Sequence, residues 1–414
     1  MLEYSKDKTC FGGYPLEELA AQFGTPLYVY DQARIEDNYH RLMQAYRERY
    51  PHFEIFYAIK ANNNPAIVKT LADLGAGADA SCIEEILLAK LAGVPPKKIL
   101  FTGVYSTKEQ LRRAAELNVI LNLEDISQIE WLDKMPEFIS FRVNPGIGQG
   151  GKEGLIFAGP DAKFGVPESQ IKEAYRLAKA KGAKRFGIHM MTGSNILDVA
   201  YFESIVDRLL MIMIPIAKEL KISFEFIDIG GSLGVPYEKG VLPLDIEEVA
   251  ERVTQKIKAS PFNGATILHE PGRYLVADAG ILLTRVASIK RAEKTFIGID
   301  AGMNTLLRPA LYKAYHPIDY VNQFTLPHDQ QVNVVGQICE NTDVIAQGRF
   351  LPKEIKVGDL LSIGVVGAYG FCMSSQYNTR PRAAEVLIRK GIPYLIRERE
   401  TFDDLVAKTR MVDD

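Results

Sequence analysis

Between Phe53 and Arg273 the chain repeats one pattern: a short, nearly continuous apolar run, followed by a longer stretch with apolar residues at helical spacing. The runs are FEIFYAIKANN at Phe53, AGADAS at Ala76, KILFTGV at Lys98, VILNLED at Val119, FISFRVNPG at Phe138, FGIHMMTGSN at Phe186, FEFIDIGGSLG at Phe224 and TILHEPGR at Thr266. Unbroken apolar character suits a parallel strand covered on both faces, and segments such as AIVKTLADLG and TKEQLRRAAEL are long enough for right-handed crossover helices. Eight such runs predict a closed (β/α)8 barrel. An open doubly wound sheet is the alternative, because periodicity does not state strand order.

Polar residues gather at the C-terminal ends of these runs: Lys60, Asp79, Arg142 with Asn144, His189, Ser194, Asp228 with Gly230 and Gly231, and Glu270 with Arg273. In a barrel all those ends open onto one face, where active sites are assembled. Scatter by chance would place as many at the strand starts.

After about residue 280 the texture changes to shorter β-rich segments, ILLTRVASIK, KTFIGIDAG, QVNVVGQIC, DLLSIGVVGAYG and AAEVLIRKG, separated by Gly, Pro and charged turns. These predict an antiparallel β domain. The expected division is an N-terminal segment, 1–29, associated with the β domain; a barrel, 30–280; and the C-terminal β domain, 281–414. PLYVYD near Leu27 either joins the β domain or bridges to it. LLMIMIPIA, Leu209 to Ala217, is too short to cross a bilayer and reads as a buried helix with a bend at Pro215 or as a contact surface. FDDLVAKTRM reads as a short terminal helix.

A net charge of −3, with both signs dispersed, gives no electrostatic reason to expect nucleic acid or an acidic membrane as partner. Cys10, Cys82, Cys339 and Cys372 are widely spaced and form no CxxC, which argues against zinc and a disulfide framework and for a reducing cytoplasm. The charged start lacks the apolar stretch of a signal peptide. The six histidines form no HExxH or similar cluster, so no metal site is expected. His269, next to Glu270, points to the opposite face of a regular strand.

Several residues have two readings. Lys60 ends an apolar strand, where dry surroundings favour a neutral, nucleophilic amine; it could equally extend to solvent. DIGGSLG lets backbone N–H groups converge on phosphate, or makes a plain turn, and it is neither GxxxxGK[ST] nor GxGxxG. Glu270 could hydrogen-bond a protonated heterocyclic nitrogen or pair with Arg273. Cys339 beside Glu340 is a proton donor or fills a small gap. Tyr369 in GAYGF approaches a ligand or packs in the β domain. Arg308 and Tyr312 in LLRPALY grip an anion or lie at the surface.

Taken in order, YAIKAN at Tyr57, GAGADAS at Gly75, RVNPG at Arg142, KFGV at Lys163, HMMTGS at His189, DIGGSLG at Asp228, EPGR at Glu270, RPALYKAYHPI at Arg308, CENTD at Cys339 and GAYGFCMSSQYNTRP at Gly367 resemble the fold type III pyridoxal-phosphate decarboxylases. The closest resemblance is to the branch acting on diaminopimelate, and it covers almost the whole chain. It implies an alanine-racemase-like barrel, a C-terminal antiparallel β domain, and a head-to-tail homodimer with active sites shared between subunits. Lys60 would take the aldehyde of pyridoxal 5'-phosphate. Gly231, Gly272, Ser194 and Tyr369 would hold the phosphate, Glu270 would keep the pyridine nitrogen protonated, and Asp79 and Arg142 would support the surroundings.

The resemblance further implies that Cys339 of the partner subunit returns a proton after CO2 leaves. Arg273, Arg308 and Tyr312 would grip the distal carboxylate of the substrate and Glu340 its distal ammonium, giving L-lysine. The chain departs from the family pattern at several points. Met191 replaces the second histidine of HxHxGS and is expected to cover the cofactor without imidazole, while His189 survives two positions earlier on the same strand face. Ser232 interrupts the usual glycine triplet, Asn341 follows CE, and Cys82 stands where serine is common. A decarboxylase of another diamino or carrier-bound amino acid is the alternative, then a racemase. A pyridoxal-phosphate-binding homeostasis protein would leave the β domain unexplained.

Overall fold

The computed structural model describes residues 2–5, 8–146, 158–159 and 161–412. The chain forms two compact units, one of residues 36–236 with 242–274, the other of residues 1–35, 237–241 and 275–414.

The first unit is a closed parallel barrel. Its strands are β1 (Phe53–Ala58), β2 (Gly77–Ala80), β3 (Ile99–Phe101), β4 (Ile120–Leu123), β5 (Phe138–Asn144), β6 (Arg185–His189), β7 (Phe224–Asp228) and β8 (Thr266–His269). Each pairs in parallel with its neighbours in chain order, and β8 returns to β1 through Ile267, Leu268 and His269 opposite Phe53, Glu54 and Ile55. That closure excludes the open sheet. Phe56, Leu100, Ile120, Phe226 and Leu268, from five different strands, form one buried cluster that can meet only inside the barrel.

The crossover helices begin where local chemistry starts them. Asn64 caps Pro65–Asp73 by accepting from the Ala66 N–H, with Pro65 in the first turn where no N–H is needed. Thr107 and Gln110 form a reciprocal capping box at Lys108–Glu116. Helix Val199–Leu220 contains the apolar run around Pro215. Leu209, Ile212, Met213 and Ile216 face inward while Met211 and Ile214 are exposed, so the run is only half buried. No described helix is long and apolar enough to cross a membrane.

The second unit holds a sheet with strands in the order Val344–Leu351, Gln330–Val335, Thr295–Ile299, Gly280–Arg291, Leu27–Asp31, Ala384–Arg389 and Ile392–Arg397. Most neighbours are antiparallel, as expected. Two pairs are parallel: Thr295–Ile299 with Gln330–Val335, and Leu27–Asp31 with Ala384–Arg389. The segment at Leu27 is thus an interior strand of this sheet, with Leu27 and Val29 packed on Leu283 and Val386. The expected terminal helix spans Phe402–Val406.

Candidate active site

Strand β1 ends in a 3₁₀ turn, Ile59–Ala61, which projects Lys60 at the barrel's C-terminal face. Its Nζ meets the carboxylate of Asp79, at the end of β2. The Lys60 side chain is 44% exposed and that of Asp79 only 2%, so a buried anion anchors an amine that a ligand can reach. Burial raises the Asp79 pKa, the Glu270 charge adds to this, and Lys60 opposes both.

Glu270 follows β8, and its Oε2 accepts from His189 Nε2 at 3.2 Å, both side chains being buried. Burial by itself would raise the Glu270 pKa. His189 and Lys60 outweigh it and hold the group down at about 2, leaving a buried anion. His269 faces the other way, as strand alternation requires. Its Nε2 lies 2.7 Å from the Tyr46 hydroxyl and its Nδ1 2.9 Å from the Gly230 carbonyl, and burial lowers its pKa to about 4.

The turn after β7 is fixed at both ends. The Gly230 N–H donates to Asp228 Oδ1 at 2.8 Å, and the Gly230 carbonyl accepts from the Glu270 N–H at 3.0 Å. A Cβ on Gly231 would sit 2.5 Å from the Glu270 carbonyl oxygen, and one on Gly272 would sit 2.7 Å from Ala61 Cβ. Both positions therefore present bare backbone beside the strand ends.

Ser232 occupies the left-handed region at φ +61°, at the centre of a tight turn closed by the Leu233 N–H to the Gly231 carbonyl. Its hydroxyl donates to the Gly193 carbonyl at 2.9 Å and lies 3.6 Å from Met191 Sδ and 3.4 Å from the Tyr201 hydroxyl. Tyr201 also hydrogen-bonds Thr192. This network ties the glycine turn to the loop after β6. The Met191 thioether accordingly lies over Gly230, where an added Cβ would come within 2.8 Å of the sulfur.

Arg142, buried at the end of β5, pairs with Glu124 at 2.8 Å, reaches the Met191 carbonyl at 3.3 Å and stacks 4.6 Å from the Phe164 ring centroid. It holds the Met191 backbone. Ser194 accepts from Arg273 at 3.2 Å.

The remaining predicted residues belong to the second unit. Arg308 is buried, 2.8 Å from His316 Nε2 and 4.7 Å from the Tyr237 ring centroid, while His316 Nδ1 donates to the Gly364 carbonyl. Tyr312 is half-buried on the same short helix, Arg308–Tyr312. Cys339 is exposed, with its N–H and Sγ directed at Asn378 Oδ1 at 3.3 and 3.4 Å. Glu340 accepts from the Tyr377 hydroxyl at 2.6 Å, a bond that raises the pKa of that hydroxyl. Tyr369 is half-buried with φ +57°.

Lys60, Asp79, His189 and Glu270 thus come together with Asp228, which the sequence marks only as a strand-end acid. Thr192, inside HMMTGS, serves the site through Tyr201, while Glu124 and Tyr201 also serve it without any motif to announce them; their roles arise from a strand neighbour and from the first turn of a helix.

These residues fit pyridoxal 5'-phosphate. An accessible primary amine suits its aldehyde. A buried anion whose Oε1 has no protein donor among the described residues suits its ring nitrogen, and bare glycine backbone beside Ser194 and Arg273 suits its phosphate. The family described as pyridoxal-dependent decarboxylase, pyridoxal binding domain, matches residues 36–277. A diaminopimelate decarboxylase of Methanothermobacter thermautotrophicus is 44% identical over 97% of this chain and 95% of its own. The crystal structure of diaminopimelate decarboxylase from M. jannaschii in co-complex with L-lysine superposes with a TM-score of 0.92 at 35% identity, covering 100% of this chain and 98% of that one. The enzyme from Helicobacter pylori complexed with L-lysine gives 0.88 at 33% identity, covering 94% and 98%. The barrel carries a pyridoxal-phosphate-dependent amino-acid decarboxylase site, and the chain belongs to the diaminopimelate decarboxylase family.

Proposed function

We propose that Lys60, Asp79, His189 and Glu270 carry the reaction of this family, decarboxylation of meso-2,6-diaminopimelate to L-lysine and CO2. The observation that supports this most is the pairing of an accessible Lys60 amine with a buried, ionised Glu270 at one barrel face. Bound pyridoxal phosphate supplies an aldehyde for amines and a ring that accepts the electrons of the breaking bond.

Each residue has a defined task. Lys60 would hold the aldehyde through its Nζ, with the buried Asp79 carboxylate as the counter-charge to that amine. Glu270 holds a proton on the ring nitrogen, and His189 keeps Glu270 ionised and oriented. Gly231, Gly272, Ser194, Arg273 and Tyr369 bind the phosphate. Arg142 sets the Met191 backbone, and Met191 covers the ring through its thioether. Arg273, Arg308 and Tyr312 hold the distal carboxylate and Glu340 the distal ammonium; charge-assisted contacts select this end because a substrate lacking it leaves them unpaired. Cys339 of a second subunit in a homodimer returns a proton to the substrate carbon. Four free thiols suit a reducing cytoplasm.

The test is turnover by purified protein with pyridoxal phosphate on separate amino acids. Release of CO2 from meso-diaminopimelate with L-lysine as product is expected. Turnover of another diamino acid, with none on diaminopimelate, overturns the substrate assignment.

A further inference from the structure

Asp228 is buried at the end of β7, next to β8, and no step above uses it. Its Oδ1 accepts the Gly230 N–H at 2.8 Å, and its Oδ2 has no hydrogen-bond partner of its own among the described residues. Glu270 likewise has one carboxyl oxygen, Oε1, without a protein donor among the described residues, and the two carboxyl groups lie close together. Asp228, Glu270 and His189 each bring a polar atom within 4.8 Å of the others. Two buried carboxyl groups this close cannot both be anions at tolerable cost, and one proton between them turns the clash into a strong hydrogen bond.

The surroundings decide which group carries that proton. Glu270 accepts from His189 and feels the positive Lys60. Asp228 receives one backbone N–H and faces two acids, Glu270 and Asp79, while the His189 Nε2 hydrogen bond goes to Glu270 rather than to it. We infer that Asp228 holds a proton and donates it to Glu270, making it a positioning residue that keeps Glu270 ionised. Burial, then the Glu270 charge, push the Asp228 pKa well above the usual carboxylate range, in agreement. A carboxylate has about four acceptor sites, so Glu270 can serve Asp228, His189 and a ring nitrogen together. With Asp228 ionised instead, Glu270 would compete with it for the ring proton.

The test compares the holoenzyme with Asp228→Asn and Asp228→Leu. An amide reproduces each hydrogen bond of the protonated acid: its oxygen accepts from Gly230 and its nitrogen donates to Glu270. Infrared difference spectra at neutral pH are expected to show loss of a protonated-acid carbonyl band in the Asn protein. Pyridoxal phosphate affinity is expected to stay within about threefold for Asn and to weaken about tenfold or more for Leu. Loss of a carboxylate band instead, an Asn protein that binds cofactor as poorly as Leu, or an Asn protein that does not fold overturns the inference. A Leu protein that does not fold leaves the infrared spectrum and the affinity of the Asn protein to decide. The functional consequence rests on placing Glu270 at the ring nitrogen. The infrared result does not, so failure of that assignment and failure of the shared proton are distinguishable.

Discussion

His189 Nε2 donates to Glu270 Oε2 across 3.2 Å, with both side chains sealed from solvent. The first histidine of the motif therefore acts through Glu270, the acid proposed for the ring nitrogen, while Met191, two positions later, takes the place over the glycine turn. His189 is the last residue of β6 and Met191 lies in the loop two residues beyond it, so the two reach different partners.

Replacing His189 with Leu removes the donor and leaves Glu270 with burial less well opposed, so its pKa must climb. Removing one partner of a buried hydrogen bond costs about 1–3 kcal/mol. The His189→Leu protein is expected to melt several degrees lower and to bind pyridoxal phosphate more weakly, read by thermal scan and absorbance titration. Unchanged affinity would show that Glu270 does not depend on His189.

Acid stability follows from two buried groups. The folded-state pKa of His269 is lowered from 6.5 to about 4, so it adds stability that is full above 6.5 and lost as pH falls through 4, on the order of 3 kcal/mol. Glu270, depressed from 4.5 to about 2, adds stability that is lost in the lower window, between those two values. His269→Gln should flatten the fall in unfolding free energy between pH 6.5 and 4 and leave the lower window intact, measured by denaturant titration across pH. The same slope in both proteins would remove His269 from the account.

Lys60→Ala is expected to abolish the visible absorption band of the lysine-bound cofactor together with turnover. Persistence of the band would reject Lys60 as the anchor. The variant also strips the buried Asp79 of its counter-charge. Asp79 should then take up a proton on folding, and stability should rise as pH is lowered through the weakly acidic range.

The barrel was legible because each strand end coincides with a change from apolar run to polar residue, as at Ile59 to Lys60 and His269 to Glu270. Closure was legible only as a count of runs, since the pairing of β8 with β1 is a contact no local pattern encodes. The two parallel pairs of the second sheet were hidden for the same reason: Leu27–Asp31 and Ala384–Arg389 lie at opposite ends of the chain. Within the site, residues carried by motifs could be named, whereas Glu124 and Tyr201 could not. Their function is a hydrogen bond to a distant partner, and neither residue type nor spacing signals it.

Ser232 separates two effects that its position combines. At φ +61° a side chain is strained by roughly 1–2 kcal/mol relative to glycine, while the hydroxyl ties the turn to Gly193 and lies against Met191 and Tyr201. Ser232→Ala keeps the strain and loses the ties; Ser232→Gly loses both. Ala is therefore expected to be the least stable of the three, with Gly above it by about 1 kcal/mol, less the extra chain entropy glycine gives the unfolded state. Both variants should loosen pyridoxal phosphate binding, because the turn that presents Gly231 is no longer fastened to the loop carrying Ser194. Denaturant unfolding and cofactor titration of the two variants give these values. Equal stability for Ala and Gly would mean that the backbone at 232 is not strained, and unchanged cofactor affinity in both would remove the serine hydroxyl from the cradle.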